Sequence, residues 1–256
     1  MDLSTAAILF GAGVAGGVLS GLIGGASLVT FPALLAAGLP PINAAVTNLF
    51  ALVPANVAAA FTERAKLVRV DRAFVVLLAT SSLGAAIGAV LLLITPARMF
   101  EILVPLLLGF ATLLLAFSSQ ITDWLRTRML RSGGGEPHVG RASVPMLPVA
   151  VYGGYFGAGL GVLVLGILSV VTRGDYRAAN VVKNIIIALN TTVATAMFVA
   201  GDAVIWLPTL VTMAGSVFGG LLAGRLARVL PSAIMRIAIV AMGALLTVTF
   251  AWRYWF

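Results

Sequence analysis

Eight apolar stretches, at roughly 4–37, 43–62, 73–94, 98–119, 144–172, 178–200, 203–224 and 232–252, take up most of this 256-residue chain. A hydrocarbon core about 30 Å thick is crossed by about 20 apolar residues in helix, so stretches of this length fit a bilayer. Composition agrees, with 61% of residues hydrophobic and 9% charged, against about 25% charged in soluble domains. Eight acids and sixteen bases cannot clothe a soluble globule of this size. A water-soluble enzyme or a nucleic-acid binder is excluded in spite of a net charge of +8. The expected fold class is an all-α polytopic membrane protein.

The absent chemistry narrows the function further. There is no Cys, and the single His138 falls in a Gly-rich loop, so neither a thiolate nor a multi-His metal centre is expected, and no cofactor. Asp71, Asp123, Glu136, Asp175 and Asp202 lie in gaps, with Glu63 and Glu101 near segment ends. A carboxylate relay for protons or sodium therefore has no candidate within the core. Ser27 and Ser169 have no His partner in the membrane, and no paired acids exist for aspartyl chemistry. Trp206, Trp252, Tyr254 and Trp255 sit at segment ends and read as an interfacial belt. Met1-Asp2-Leu3 lacks the basic start of a signal peptide, so the first apolar run is expected to stay in the mature protein.

The one long polar stretch, 120–143, holds Arg126, Arg128, Arg131, Arg141 and the run Ser132-Gly133-Gly134-Gly135. It reads as a solvated linker between a first repeat, 1–119, and a second, 144–256, each with four membrane segments. Gly21-Leu-Ile-Gly24-Gly25-Ala-Ser27 aligns with Gly154-Tyr-Phe-Gly157-Ala-Gly159-Leu160, Thr47-Asn48 with Lys183-Asn184, Asn56 with Thr192, Gly84 with Gly219 and Pro96 with Pro231. The offset stays between 133 and 136 residues throughout, as a duplication requires.

Basic residues in loops mark the cytoplasmic side, and they change sides between the halves. Gap 62–72 carries Arg64, Lys66, Arg69 and Arg72, whereas its counterpart near 200–203 has only Asp202. The gap before the second segment has no base, but its counterpart has Arg173 and Arg177. The gap at 95–98 holds Arg98 alone, where its counterpart has Arg225 and Arg228. Inverted repeats fit this pattern if each half crosses the membrane an odd number of times. The first and fifth segments, about 34 and 29 residues long, are each interrupted by glycines. Two arms of about 15 residues rise only about 22 Å apiece, too little to span. Each is therefore expected to be a re-entrant hairpin beside three crossing helices, with linker 120–143 cytoplasmic and both termini outside. Eight plain spans are the competing arrangement.

A Gly-rich break inside an apolar segment implies an enclosed polar cavity. Helix N-termini facing such a cavity favour an anion without a charged side chain. The same glycines also suit close helix packing, through Gly17/Gly21/Gly25 and Gly153/Gly157/Gly161. Polar residues within the segments are the sharper signal: Thr47, Asn48 and Asn56 in the second, and Asn180, Lys183, Asn184, Asn190 and Thr191 in the sixth. Asn180, Lys183 and Asn184 share one helical face. A Lys within a span faces a cavity or a partner, or else snorkels to the nearby gap at 173–177. The expected substrate site takes in Gly24, Gly25, Ser27, Thr47, Asn48, Gly157, Gly159, Asn180, Lys183, Asn184 and Asn190.

The stretch Gly21-Leu-Ile-Gly-Gly-Ala-Ser-Leu-Val-Thr-Phe-Pro-Ala-Leu-Leu, with Gly38-Leu-Pro-Pro-Ile-Asn-Ala-Ala-Val-Thr-Asn48, resembles the first repeat of the TauE/SafE sulfite and organosulfonate exporters. Tyr152-Gly-Gly-Tyr-Phe-Gly-Ala-Gly-Leu-Gly161 with Asn180-Val-Val-Lys-Asn184 resembles their second. The resemblance implies a permease of a bacterial or archaeal inner membrane. It would export sulfite, sulfoacetate or a related sulfur oxyanion, driven by the proton gradient. It also implies a homodimer; the Gly-rich stretch 215–224 suits a packing face for it and equally packing within the chain. Gly24, Gly25, Thr47 and Asn48 would belong to the first motif, and Gly157, Gly159, Lys183 and Asn184 to the second. The first motif departs from the family in having Ala26-Ser27 where many members have further Gly. A passive anion channel and a non-transporting membrane interaction protein are the alternatives.

Overall fold

A computed structural model describes residues 1–22, 25–62, 71–131, 139–171, 176–226 and 232–255. Among them every regular element is helical: α1 (Leu3–Leu22), α2 (Ser27–Ala36), α3 (Pro41–Ala51), α4 (Val53–Thr62), α5 (Arg72–Ile94), α6 (Ala97–Ala116), α7 (Ser118–Arg131), α8 (Val139–Tyr155), α9 (Leu160–Val171), α10 (Tyr176–Ala200), α11 (Trp206–Leu226) and α12 (Ser232–Trp255). Local chemistry sets several of the starts. The Asp2 carboxylate accepts from Thr5 N at 3.1 Å and from Ser4 Oγ at 2.7 Å, and these bonds hold its acid down to about 2. Asp71 caps α5 by accepting from Phe74 N at 2.8 Å. Pro40 and Pro96 stand at the N-caps of α3 and α6, where the residue before the helix owes it no N–H.

Among the described residues, six stretches have the length and composition to cross a membrane: Leu3–Ser20, Pro41–Ala58, Arg72–Ile94, Ala97–Ala116, Ala178–Ala200 and Met235–Trp255. Ser27–Ala36 and Trp206–Leu222 are apolar but shorter. The second apolar stretch is interrupted at Leu52 between α3 and α4, because Pro54 has no N–H to give to the Phe50 carbonyl. The described part of the expected linker is largely helix α7, which follows α6 after a break at Phe117 and leans on α9. Leu125, Met129 and the arginines favour helix, so the described part of the expected solvated linker has regular structure. The Gly run 133–135 and His138 lie outside the described residues.

The two interrupted segments reverse direction. Gly16 of α1 lies against the Thr30 methyl of α2, although a continuous helix would hold residues 14 apart about 21 Å from each other. Their arms are unequal, however. The expected two arms of about 15 residues are instead 20 and 10 for α1 and α2, and 17 and 12 for α8 and α9. Alone among these arms, α1 is long and apolar enough to span.

Packing ties the two halves of the chain together. Helix α1 runs along α11, α5 along α8, and α6 against α12. At the first interface a Cβ on Gly17 would sit 2.0 Å from Ser216 O, and at the second a Cβ on Gly88 would sit 2.0 Å from Val151 O. Backbone meets backbone at both, the arrangement that small residues permit inside membranes. Large apolar side chains such as Leu83, Ile94, Leu221, Leu245 and Val248 face outward, as a lipid-facing surface requires.

Candidate functional site

Phe31 of α2 meets Phe156 of the second break edge-on, with ring centroids 5.1 Å apart, so the two broken segments converge. The breaks also share a cavity of about 40 Å³. A water needs about 10–15 Å³ on this measure, so the space holds about three. Its wall combines Ser20 from α1, Ala26 and Ser27 at the start of α2, Leu49 and Leu52 at the end of α3, and Asn56 from α4. Gly157, Leu160 and Gly161 from the second break, with Asn184, Ile187 and Thr191 from α10, complete it.

The polar groups of this wall are neutral. Ser20 Oγ donates to Asn56 Oδ1 at 2.6 Å, which leaves the Asn56 amide nitrogen without an acceptor among the described residues. The Ser27 hydroxyl takes no hydrogen-bond partner among them either, although the residue is only 6% exposed. Thr191 Oγ1 donates to Ile187 O at 2.8 Å and to Ala188 O at 3.1 Å, so it offers the cavity lone pairs only. Helices α2 and α9 begin at the wall, with Ser27 and Leu160 as their first residues. Most first-turn N–H groups are spent on the preceding turn, Leu28 N on Gly25 O, Val29 and Thr30 N on Ala26 O, Leu160 N on Gly157 O and Val162 N on Gly159 O, so what the two starts bring to the wall is chiefly their positive dipole ends. Among the described residues, no carboxylate and no basic side chain lines the space. A buried, neutral, donor-bearing cavity at two helix starts suits a small anion better than a cation.

The turn between α8 and α9 depends on glycine. Gly157 and Gly159 both have φ +74°, a region costly for residues with a Cβ. A Cβ on Gly157 would also lie 2.6 Å from Leu49 Cδ2. Glycine thus breaks the fifth segment here, while Gly17 and Gly154 pack helices: a Cβ on Gly154 would lie 2.1 Å from Ala85 O. Of the glycines expected to pack helices, Gly17 meets Ser216 of α11 and Gly153 meets Leu160 of α9, whereas Gly157 forms the turn and Gly161 lines the cavity.

Of the residues expected at the site, Ser27, Gly157 and Asn184 line the cavity. Gly25 is buried beside it, facing Leu115 and Ile239, and Gly24 lies outside the described residues. Gly159 faces Ala111 and Leu114 of α6. Asn48, the repeat counterpart of Asn184, is not in the wall: its Oδ1 accepts from Thr30 Oγ1 and fastens α2 to α3. Thr47 pairs with Thr209 Oγ1 at 3.3 Å, across to α11. Asn190 bonds Ser81 of α5 at 2.9 Å. Lys183 is buried but outside the wall, and among its contacts Nζ donates to Asn180 Oδ1 at 2.7 Å. Nine wall residues were not among those expected, and three of these, Ser20, Asn56 and Thr191, carry polar side chains. Asn56 and Thr191 stand out in the sequence as polar groups within apolar runs, whereas Ser20 is marked only by its place beside the first Gly-rich motif.

Comparison with known proteins identifies the scaffold. Residues 9–250 match the family described as Sulfite exporter TauE/SafE. The chain is 28% identical over 243 residues to a "Probable membrane transporter protein" of Haemophilus influenzae, covering 94% of this chain and 92% of that protein. No solved structure gives a significant match. This many-helix membrane protein belongs to the sulfite exporter TauE/SafE family of membrane transporters.

Proposed function

We propose that the protein is a secondary transporter that exports a small sulfur oxyanion, bound in the cavity between the two broken segments. The observation that carries this reading is the wall itself: Ser27, Asn56 and Asn184 with two helix starts, and no carboxylate among its described residues. The Asn56 amide nitrogen and the Ser27 hydroxyl are donors awaiting an acceptor, and the oxygens of a sulfite or sulfonate group supply one. Sulfite and the head of a sulfonate each present three oxygens about one sulfur to these donors. A longer organosulfonate such as sulfoacetate needs the wall to open.

Two inverted repeats, with linker 120–143 in the cytoplasm, both termini outside and the chain in an inner membrane, complete the reading. The side-switching of basic loops supports it. So does the exchange of partners in which α1 packs on α11 and α5 on α8. Alternating access then moves these cross-half pairs as blocks about the breaks. Rocking one sequence half against the other would part the backbone contacts at Gly17 and Gly88. Proton coupling finds no carboxylate among the described wall residues, which leaves Lys183, water or the protonation state of the substrate.

Lys183 acts in this scheme from one residue beyond Asn184, drawing anions toward the cavity rather than touching them. Its replacement by Ala should cut sulfite flux several-fold while leaving the protein folded, and unchanged flux would remove it from the mechanism. The reading as a whole is tested by counterflow in proteoliposomes with sulfite, sulfoacetate, taurine, sulfate and chloride. Saturable exchange, strongest for sulfite, is expected. Flux that follows voltage without saturable exchange would make the protein a channel, and no flux of any anion would remove the exporter reading.

A further inference from the structure

Tyr152 lies one turn before the end of α8 and holds the second break at three points. Its hydroxyl donates to Ala158 O at 2.6 Å. Its own carbonyl accepts from Phe156 N at 2.9 Å and from Gly157 N at 3.2 Å. Its ring stands edge-on to Phe110 of α6, with centroids 5.4 Å apart and planes at 84°, so the hydroxyl cannot wander. Between these grips lies Ala158, fully buried and flanked by Gly157 and Gly159, each at φ +74°. Glycine changes the sign of φ at little cost, so the peptide joining Ala158 to Gly159 is the part of this turn most able to swing.

We infer that Tyr152 is a positioning residue for the substrate site: its hydroxyl holds the Ala158 carbonyl in place, so that the start of α9 meets the cavity with its positive dipole end unopposed by a carbonyl oxygen. This rests on the anion reading proposed above. In a trans peptide the C=O and N–H point in opposite directions, so anchoring the Ala158 carbonyl on Tyr152 also fixes the direction of Gly159 N–H. Gly157, Leu160 and Gly161, on either side of that peptide, are wall residues. A released carbonyl at this place would set a negative dipole end beside the anion and oppose the N-terminal field of α9. The clamp is peculiar to the second half. At the offset of 133 residues that aligns Gly21 with Gly154, the counterpart of Tyr152 is Leu19, which has no hydroxyl to give.

Tyr152→Phe in the full-length protein tests this, because it removes one oxygen and keeps the ring on Phe110. Tyr155→Phe is the control. It removes a hydroxyl from the same helix, one that contacts Thr95 Oγ1 at 3.3 Å and not the break. Two readouts are needed: amide hydrogen exchange across 156–162, and KM and kcat for sulfite counterflow in proteoliposomes. With the clamp gone, exchange in that segment should quicken about tenfold and KM should rise about tenfold, as for a lost buried hydrogen bond. Tyr155→Phe should change neither. Unchanged exchange in Tyr152→Phe would overturn the clamp. Faster exchange with an unchanged KM, or an equal rise of KM in Tyr155→Phe, would overturn the positioning role. If the wild-type protein shows no saturable sulfite counterflow, the anion reading falls first and the positioning role with it, before any variant is compared.

Discussion

Valine in place of Gly17 should prevent α1 from seating on α11, lowering the midpoint of thermal unfolding by about 10 °C or more, or leaving no folded protein to purify. The first side-chain carbon would lie 2.0 Å from Ser216 O and 2.8 Å from Gly220 N. Both obstacles are backbone, so no rotamer change relieves them and the helices must separate. Overpacking of a core costs about 1–3 kcal/mol even where side chains can give way. At about 2–4 °C per kcal/mol for a chain of this size, a rigid clash reaches the stated drop. Gly11→Val on the same helix is the comparison, because nothing lies within 4 Å of its added carbon. It should unfold like the wild type. Equal stability of the two variants would mean that α1 does not pack on α11 in the membrane.

Alanine in place of Gly157 should abolish most transport, by more than about tenfold, with a smaller loss of stability. A φ of +74° costs a residue with a Cβ about 1–2 kcal/mol. The new methyl would also press on Leu49 Cδ2 from 2.6 Å, and Leu49 can yield only by moving within the cavity wall it shares. Gly159→Ala separates strain from obstruction. It has the same φ, but its added carbon would meet Ala111 O and Leu114 at an ordinary 3.5 Å. It should lose stability with a smaller loss of transport than Gly157→Ala. Comparable transport loss in both variants would point to the turn itself, and not the cavity, as the sensitive feature.

Much of the fold was legible because the bilayer imposes a simple rule on length and polarity. The limits of that rule explain the rest. Counting apolar residues located the fifth segment, but it could not place the reversal, which depends on φ at Gly157 and Gly159. It also divided the first segment evenly, whereas α1 takes 20 residues and α2 only 10. Polar residues within apolar runs were a sound signal of burial and an ambiguous one of function. Asn48 and Asn184 occupy matching repeat positions and are both buried. Yet Asn48 accepts from Thr30 while Asn184 reaches the cavity. An amide that joins two helices and one that faces a cavity satisfy the same need in an apolar interior, and spacing alone does not separate them. Lys183 illustrates a related point. Helical periodicity put it on one face with Asn180 and Asn184, and its ammonium does bond Asn180, but only Asn184 of the three enters the wall. Ser20 escaped notice because a lone serine in a small-residue helix carries no pattern; its meaning comes from Asn56, 36 residues away.

The most direct test of the cavity as the substrate site is the thermal stabilisation of purified protein by sulfite, measured for the wild type, Asn56→Leu, Asn184→Leu and Asn48→Leu. Ligand present at 100 times its Kd stabilises a folded protein by about 2.7 kcal/mol, enough to move the midpoint by several degrees. The wild type and Asn48→Leu should both show that shift. Asn56→Leu and Asn184→Leu should lose most of it, because each takes an amide out of the wall. An undiminished shift in both of these variants would place the anion elsewhere and contradict the site.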